Sequence, residues 1–369
     1  MHRRNTRTAL ALLAAATLCL AACDDDKPKP GPVAPARPTA PAEPKVDVKA
    51  QAEAEEVELG GEMRVTVTVT NAGDAPARVN VPRLDRNCAV ARVRRDGREP
   101  YVLERIWADL NPASGAFDWK MPEAQELAPG ASLTGVLALT AMEPGKHTIV
   151  VSYRPSVSVD AVACDPVTVT VKAPSEGASL GVLWRTSKGP VKVRFRPDLA
   201  PNTVDAIASL VRSKFYDGLT FHRIVAGFMA QGGDPKGTGG GGPGWFLPLE
   251  ATGRLKHARG VLSMARTNIP DTAGSQFFLM FTDYPSLDPS RGNPGYTAFG
   301  EMVEGESTLT ALEAVPTKIG DATVEMLRAR GIPESQWEAL AAAGRIEKST
   351  PKEPVTIESA ELVTIPGKK

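Results

Sequence analysis

Two stretches constrain this chain more than any other part of it: FHRIVAGFMAQGGD at 221–234 and GVLSMARTNIPDTAGSQFFLMF at 260–281. They set the strongly polar side chains Arg223, Gln231 and Gln276 among bulky apolar ones, Phe221, Phe228, Met229, Phe277 and Phe278. A half-buried strand alternates apolar with polar residues, and neither stretch does so cleanly. Large apolar surface with a few placed polar groups is instead how a partly dry binding pocket is written.

The rest of the chain reads as separate segments. Its 369 residues carry 43 basic and 43 acidic side chains. That length accommodates two domains, and the charge balance gives no basic surplus for nucleic acid. At the N-terminus Arg3, Arg4 and Arg7 precede an apolar run over 9–22 and then Cys23, the layout of an export signal. The run is too short to span a bilayer and is followed at once by DDDKPKP. Leu20-Ala21-Ala22-Cys23 resembles a bacterial lipoprotein box, so 1–22 is expected to be a signal peptide and Cys23 a lipidated residue. The mature protein would then be held on a membrane facing the periplasm. Residues 23–45 are rich in proline, alanine and charge, which predicts an extended linker.

From 46 to 172 the pattern is that of short strands. Met63, Val65, Val67 and Val69 alternate with polar neighbours up to the Asn71-Ala72-Gly73 turn, and further strands are expected over 90–94, 133–139, 147–153 and 167–171. Asp96-Gly97, Pro129-Gly130 and Pro144-Gly145 mark turns between them. Strands at this spacing predict a β-sandwich, and the pattern resembles immunoglobulin-like domains of bacterial surface proteins. Trp107 and Trp119 read as packing residues. Cys88 and Cys164 both fall in this segment. An exported domain with two cysteines has either a Cys88–Cys164 disulfide or two buried free thiols. The four histidines, His2, His147, His222 and His257, are not spaced as metal ligands.

Beyond a break at 173–177, the spacing predicts strands over 180–184 and 191–195 and a helix opening at Asn202 with Asp205 three residues on. In this order, with FHRIVAGFMAQGGD and AGSQFF, residues 175–369 resemble the cyclophilin family of peptidyl-prolyl cis-trans isomerases. The resemblance implies an eight-stranded β-barrel with capping helices, so the expected chain is mainly β, a sandwich followed by a barrel. It implies Arg223 as the group that assists rotation about an X-Pro bond, with Gln231 and Gln276 in the catalytic set holding substrate backbone. Phe228, Met229, Phe278 and Leu287 would enclose the proline ring, Ala265 and Thr267 would line the adjoining groove, and Tyr296 would stand where many members carry histidine. Such an enzyme needs no cofactor and acts on proline-containing polypeptides, here exported ones, as a monomer. The alternative is a proline-segment-binding chaperone or adaptor with little turnover.

Two departures from the family pattern stand out. Ser286 precedes Leu287 where members often place an aromatic that favours cyclosporin binding. An insertion over about 318–348 carries helix starts at Asp321 and Pro333-Glu334, with apolar Val324, Leu327, Trp337, Leu340 and Ala341 at helical spacing. The run GGDPKGTGGGGPG lacks the lysine and the strand-loop-helix frame of a phosphate cradle and reads as a surface loop. His257 reads as a loop residue, and His222 has no nucleophile paired with it by any motif.

Overall fold

The computed structural model describes residues 44–110, 117–155 and 160–367. The signal segment, Cys23 and all but the last two residues of the linker lie outside the described residues. Residues 43–369 form one compact unit.

The N-terminal half is built mainly from two sheets, beside the two-stranded pairs Ala77–Val79 with Gln125–Leu127 and Ala108–Leu110 with Phe117–Trp119. Strands Val46–Ala52, Glu62–Asn71 and Ser132–Thr140 form one, with Glu62–Asn71 in the centre. The second runs Glu56–Glu58, Val167–Lys172, Gly145–Tyr153, Ala89–Arg95, Tyr101–Leu103, with Val162–Ala163 paired beside it. The alternation read from the sequence sets the inward face: Met63, Val65, Val67 and Val69 are fully buried against Val93, Ile149 and Val169 of the other sheet. A one-residue slip would turn all four to solvent, so burial fixes the register. Of the two alternatives for Cys88 and Cys164, a disulfide or two buried free thiols, the second is found. Each sulfur is engaged separately. Cys88 Sγ donates to Val81 O (3.0 Å), and Cys164 Sγ accepts from Val151 N (3.3 Å).

The C-terminal half is an eight-stranded sheet in the order Arg223–Val225, Met229–Gly232, Phe277–Met280, Val261–Met264, Ala298–Glu304, Gly189–Phe195, Ser179–Thr186, Ile357–Ile365. Its two ends meet through Phe221 N to Val355 O (2.9 Å), Gly218 N to Ile357 O (2.8 Å) and Ile357 N to Leu219 O (2.7 Å). The interior is packed with aromatic rings, Trp184 lying 4.7 Å from Phe277 and edge-on to Tyr216 at 5.0 Å. Helix α1, Pro201–Arg212, is buried along most of its length and all round, between this core and the N-terminal half. The stretch 318–348 holds helix Asp321–Ala329, the 3-10 turn Glu334–Gln336 and the short helix Trp337–Ala342. Strands Thr317–Ile319 and Lys348–Pro351 pair across its neck.

Asn202 and Asp205 do not cap α1, as the sequence suggested. Pro201 occupies the first helical position, where its missing N–H costs nothing. The orphan amides are satisfied from elsewhere: the Glu250 carboxylate accepts from Asn202 N (3.0 Å), Thr203 N (2.7 Å) and Thr203 Oγ1 (2.7 Å). Asn202 and Asp205 are thereby released to face the N-terminal half. Arg105 Nη1 donates to Asn202 Oδ1 (2.7 Å) and Nη2 to Asp205 Oδ2 (2.7 Å), while Asp205 Oδ1 accepts from Thr140 N (2.6 Å). The side chains of this ion pair are 5% and 2% exposed. Arg212, at the other end of α1, donates to Gly60 O (3.0 Å). One hydrophobic core runs through both halves, so the break at 173–177 is not a free hinge.

Candidate functional site

Strand pleat sorts the two constraining stretches into two faces. Arg223 pairs with Gln231, Val225 with Met229, and Gln231 with Phe278. Ile224, Ala230, Phe277 and Leu279 therefore point into the barrel core, and Arg223, Met229, Gln231, Phe278 and Met280 point outward. The outward apolar residues form a second cluster of their own. Met229, Phe278, Met280, Val261 and Ala298 are buried in it, with Phe228, Ala265, Leu287 and Tyr296 partly buried against it. Six residues expected to meet a proline or its flank, Phe228, Met229, Ala265, Phe278, Leu287 and Tyr296, are thus brought together. Phe278 and Tyr296 meet edge to face at 5.8 Å. Thr267 lies outside the cluster, in the adjoining groove beside Ala265 and Gln276, its hydroxyl bonded to that of Thr272 (2.8 Å).

The polar groups form a chain. Arg223 Nη1 lies 3.4 Å from Gln231 Oε1 and 3.9 Å from Met229 Sδ, at the mouth of the apolar cluster. Gln231 Nε2 donates to Gln276 Oε1 (2.9 Å), and Gln276 Nε2 donates to the carbonyls of Gly239 (2.9 Å) and Gly241 (2.8 Å). Both amide hydrogens of Gln276 are then in use, and it ties the glycine loop to Gln231. Gln231 keeps one N–H available. Within the loop, the buried Asp234 carboxylate accepts from Lys236 N (2.7 Å), Thr238 N (3.0 Å) and Gly239 N (2.6 Å). Burial opposes ionisation there, but these amides hold the Asp234 pKa below the usual carboxylate value.

Several residues at the site carried no local signal. Glu347, at the end of the insertion, takes the other edge of Arg223: Nε donates to Oε1 (2.8 Å) and Nη2 to Oε2 (2.7 Å). Tyr284, 40% exposed, lies with its ring tilted against Phe228 at 4.6 Å and supplies an aromatic rim two residues before Ser286. Arg266 lies over the Tyr296 ring at 4.3 Å. His257 lies in a loop, as expected, but away from the surface. It is buried 6.0 Å behind the Phe278 ring, with Nδ1 on Asp288 Oδ1 (2.8 Å) and Nε2 on Ser263 Oγ (2.9 Å). Serine, histidine and aspartate here mimic a nucleophilic triad, yet Ser263 is wholly buried and no substrate reaches it. Burial lowers the His257 pKa despite the neighbouring carboxylate, and the group braces Phe278 from behind. Among the described residues no group of histidine, cysteine or acidic side chains is placed to hold a metal.

The geometry has counterparts in known proteins. The sequence model of the family described as Cyclophilin type peptidyl-prolyl cis-trans isomerase/CLD matches residues 182–330. A peptidyl-prolyl cis-trans isomerase of Synechococcus elongatus is 45% identical over 125 residues, 34% of this chain and 81% of that protein. One from Helicobacter pylori is 40% identical over 159 residues, 42% of this chain and 92% of its own length. A peptidyl-prolyl cis-trans isomerase-like 2 of Cryptococcus neoformans is 44% identical over 141 residues, which span 37% of this chain and 24% of that longer protein. Two shorter relatives are thus covered almost throughout, and the chain belongs to the cyclophilin-type peptidyl-prolyl cis-trans isomerase family.

Proposed function

We propose that the protein rotates X-Pro peptide bonds in exported polypeptides, with Arg223 assisting deconjugation of the prolyl imide. The observation that carries this reading is that Arg223 Nη1 faces Met229 and Gln231 at the edge of the apolar cluster built on Phe278. Rotation about a peptide bond meets a barrier of about 18–20 kcal/mol because the nitrogen lone pair is conjugated with the carbonyl. No bond is broken. A charged donor that draws the lone pair out of conjugation, beside a pocket that holds the proline ring, stabilises the twisted amide over either planar form. Guanidinium suits the task because it stays charged and presents donors in a fixed plane. Gln231, with its remaining N–H, holds the substrate backbone, and Gln276 positions Gln231 and the loop. Proline isomerisation of a short peptide by the purified chain tests the reading, and the uncatalysed rate in its presence would defeat it.

A second reading, a module that binds proline segments with little turnover, is favoured by the Glu347 carboxylate on Arg223. Peptide binding without rate enhancement distinguishes it.

The setting is proposed on sequence grounds. Cys23 carries lipid and holds the protein on a membrane facing the periplasm through the linker, and the N-terminal half is an immunoglobulin-like sandwich. Labelled palmitate incorporation lost on Cys23→Ser supports the anchor, and incorporation that persists contradicts it.

A further inference from the structure

A groove of about 730 Å3 adjoins the proposed proline site, and its two walls come from different halves of the molecule. One wall is Gln231, Ala265 and Gln276 of the barrel, and the other is Trp107, Asp109 and Lys120 of the N-terminal half. The second wall is held fast. Ile106 and Phe246 exchange backbone hydrogen bonds of 2.8 Å in both directions, which joins it to the end of the glycine loop. Asn87, in the left-handed region at φ 61°, accepts from Trp107 N (2.8 Å) and donates to Lys120 O (2.7 Å). Beneath it lies the buried Arg105–Asp205 pair, with the Arg105 guanidinium also over the Trp245 ring at 5.0 Å. A wall fixed in this way binds without the entropic cost of ordering a loop.

We infer that the N-terminal half is a specificity element of the isomerase, forming with the barrel a subsite for the substrate residues that flank the proline and selecting an acidic side chain there. The inference rests on the isomerase reading for what occupies the groove. Its polarity argues the rest. Lys236 and Arg266 line the barrel side and Lys120 the other, against the single carboxylate of Asp109. Lys120 Nζ is held by Asp109 at 2.6 Å. The backbone N–H of exposed Lys236 is bonded to Asp234, but its ammonium is in no ion pair among the described residues. The half-buried Trp107 indole, with the Arg86 guanidinium 4.7 Å from its ring, offers apolar surface to an extended backbone. Residues on one side of a proline held at Phe278 and Gln231 continue into this groove, because an extended chain advances about 3.3 Å per residue.

The test is calorimetric binding by the purified full chain of three peptides: a minimal Ala-Pro core, the same core with acidic flanks, and the same core with lysine flanks. The acidic-flank peptide is expected to bind about tenfold tighter than the core, and the lysine-flank peptide no tighter than it. Lys236→Glu, a change of an exposed side chain that leaves the fold alone, should reduce the acidic preference by about threefold to fivefold. Trp107→Ala should remove most of the gain from the acidic flanks. Equal binding of the acidic-flank peptide and the core by the unmodified chain overturns the inference. So does a gain that survives both substitutions. If the gain is present but no isomerisation occurs, the isomerase reading fails and the acidic-segment subsite stands.

Discussion

Glu347 holds the Nε and Nη2 edge of Arg223, leaving Nη1 beside Met229 and Gln231, through two hydrogen bonds of 2.8 and 2.7 Å. The residues lie 124 apart in sequence and meet because the neck of the insertion runs beside the strand Arg223–Val225. Burial alone would raise the Glu347 pKa, but hydrogen bonds from Arg223 and Ser349 outweigh it and lower the value. The carboxylate therefore stays charged below the ordinary glutamate range. Because it uses Nε and Nη2, Nη1 remains directed at the site, and Glu347 positions the guanidinium.

Glu347→Gln should accordingly lower kcat/KM for an X-Pro peptide by about twofold to fivefold. The pair is partly exposed, at 34% and 44%, so its worth stays within about 1 kcal/mol. Steady-state kinetics on the two proteins decides it. A rise in activity would show that Glu347 competes with substrate.

Asp205→Ala should destabilise the protein by about 3–5 kcal/mol, because it leaves Arg105 buried without its charge partner and Thr140 N without an acceptor. Since one hydrophobic core still joins the two halves, unfolding should remain a single transition with a lower urea midpoint. An unchanged midpoint would mean that the interface is wet.

Protein freed of residues 1–23 should titrate two thiols when denatured without reductant. Native, both should react slowly: Cys88 is wholly buried with its pKa pushed up to about 11, and burial raises that of Cys164 as well. Absence of free thiol in the denatured sample would restore the disulfide.

Stability should fall as pH drops through the histidine range. Burial lowers the pKa of His147, His222 and His257, so the unfolded chain binds protons that the folded one refuses. Their contribution is complete above the unfolded value of about 6.5 and is lost as pH falls through the lower folded values. Glu250, raised by burial, works in the opposite direction but is one group against three. Urea midpoints at about pH 7.5 and about pH 5 test this, and equal midpoints would contradict it.

What the sequence disclosed and what it hid divide along range of interaction. The alternation over Met63–Val69, the turn at Asp96-Gly97 and the helix starts in the insertion are local patterns, and each produced the element expected. The outward cluster was readable because Arg223, Phe228, Met229 and Gln231 lie on one short hairpin whose pleat sets their faces. Asn202 and Asp205 misled because a helix start and a long-range ion pair use the same residue types. The cap itself comes from Glu250, 48 residues on from Asn202. Nothing near Glu347 marks it as a partner of Arg223, and nothing in 105–109 announces a wall of a distant groove. Those relationships depend on how sheets and loops from far parts of the chain are stacked, which no local period encodes.

The most direct test of the account is kcat/KM of Arg223→Ala and Arg223→Lys for an X-Pro peptide, with folding checked by near-ultraviolet circular dichroism. A charge-assisted hydrogen bond to the twisted imide is worth about 1.5–3 kcal/mol, so Arg223→Ala should lose about ten- to more than a hundredfold. Lysine keeps the charge without the planar fork and should restore only part. A folded Arg223→Ala protein that isomerises the peptide at the unmodified rate would contradict the account.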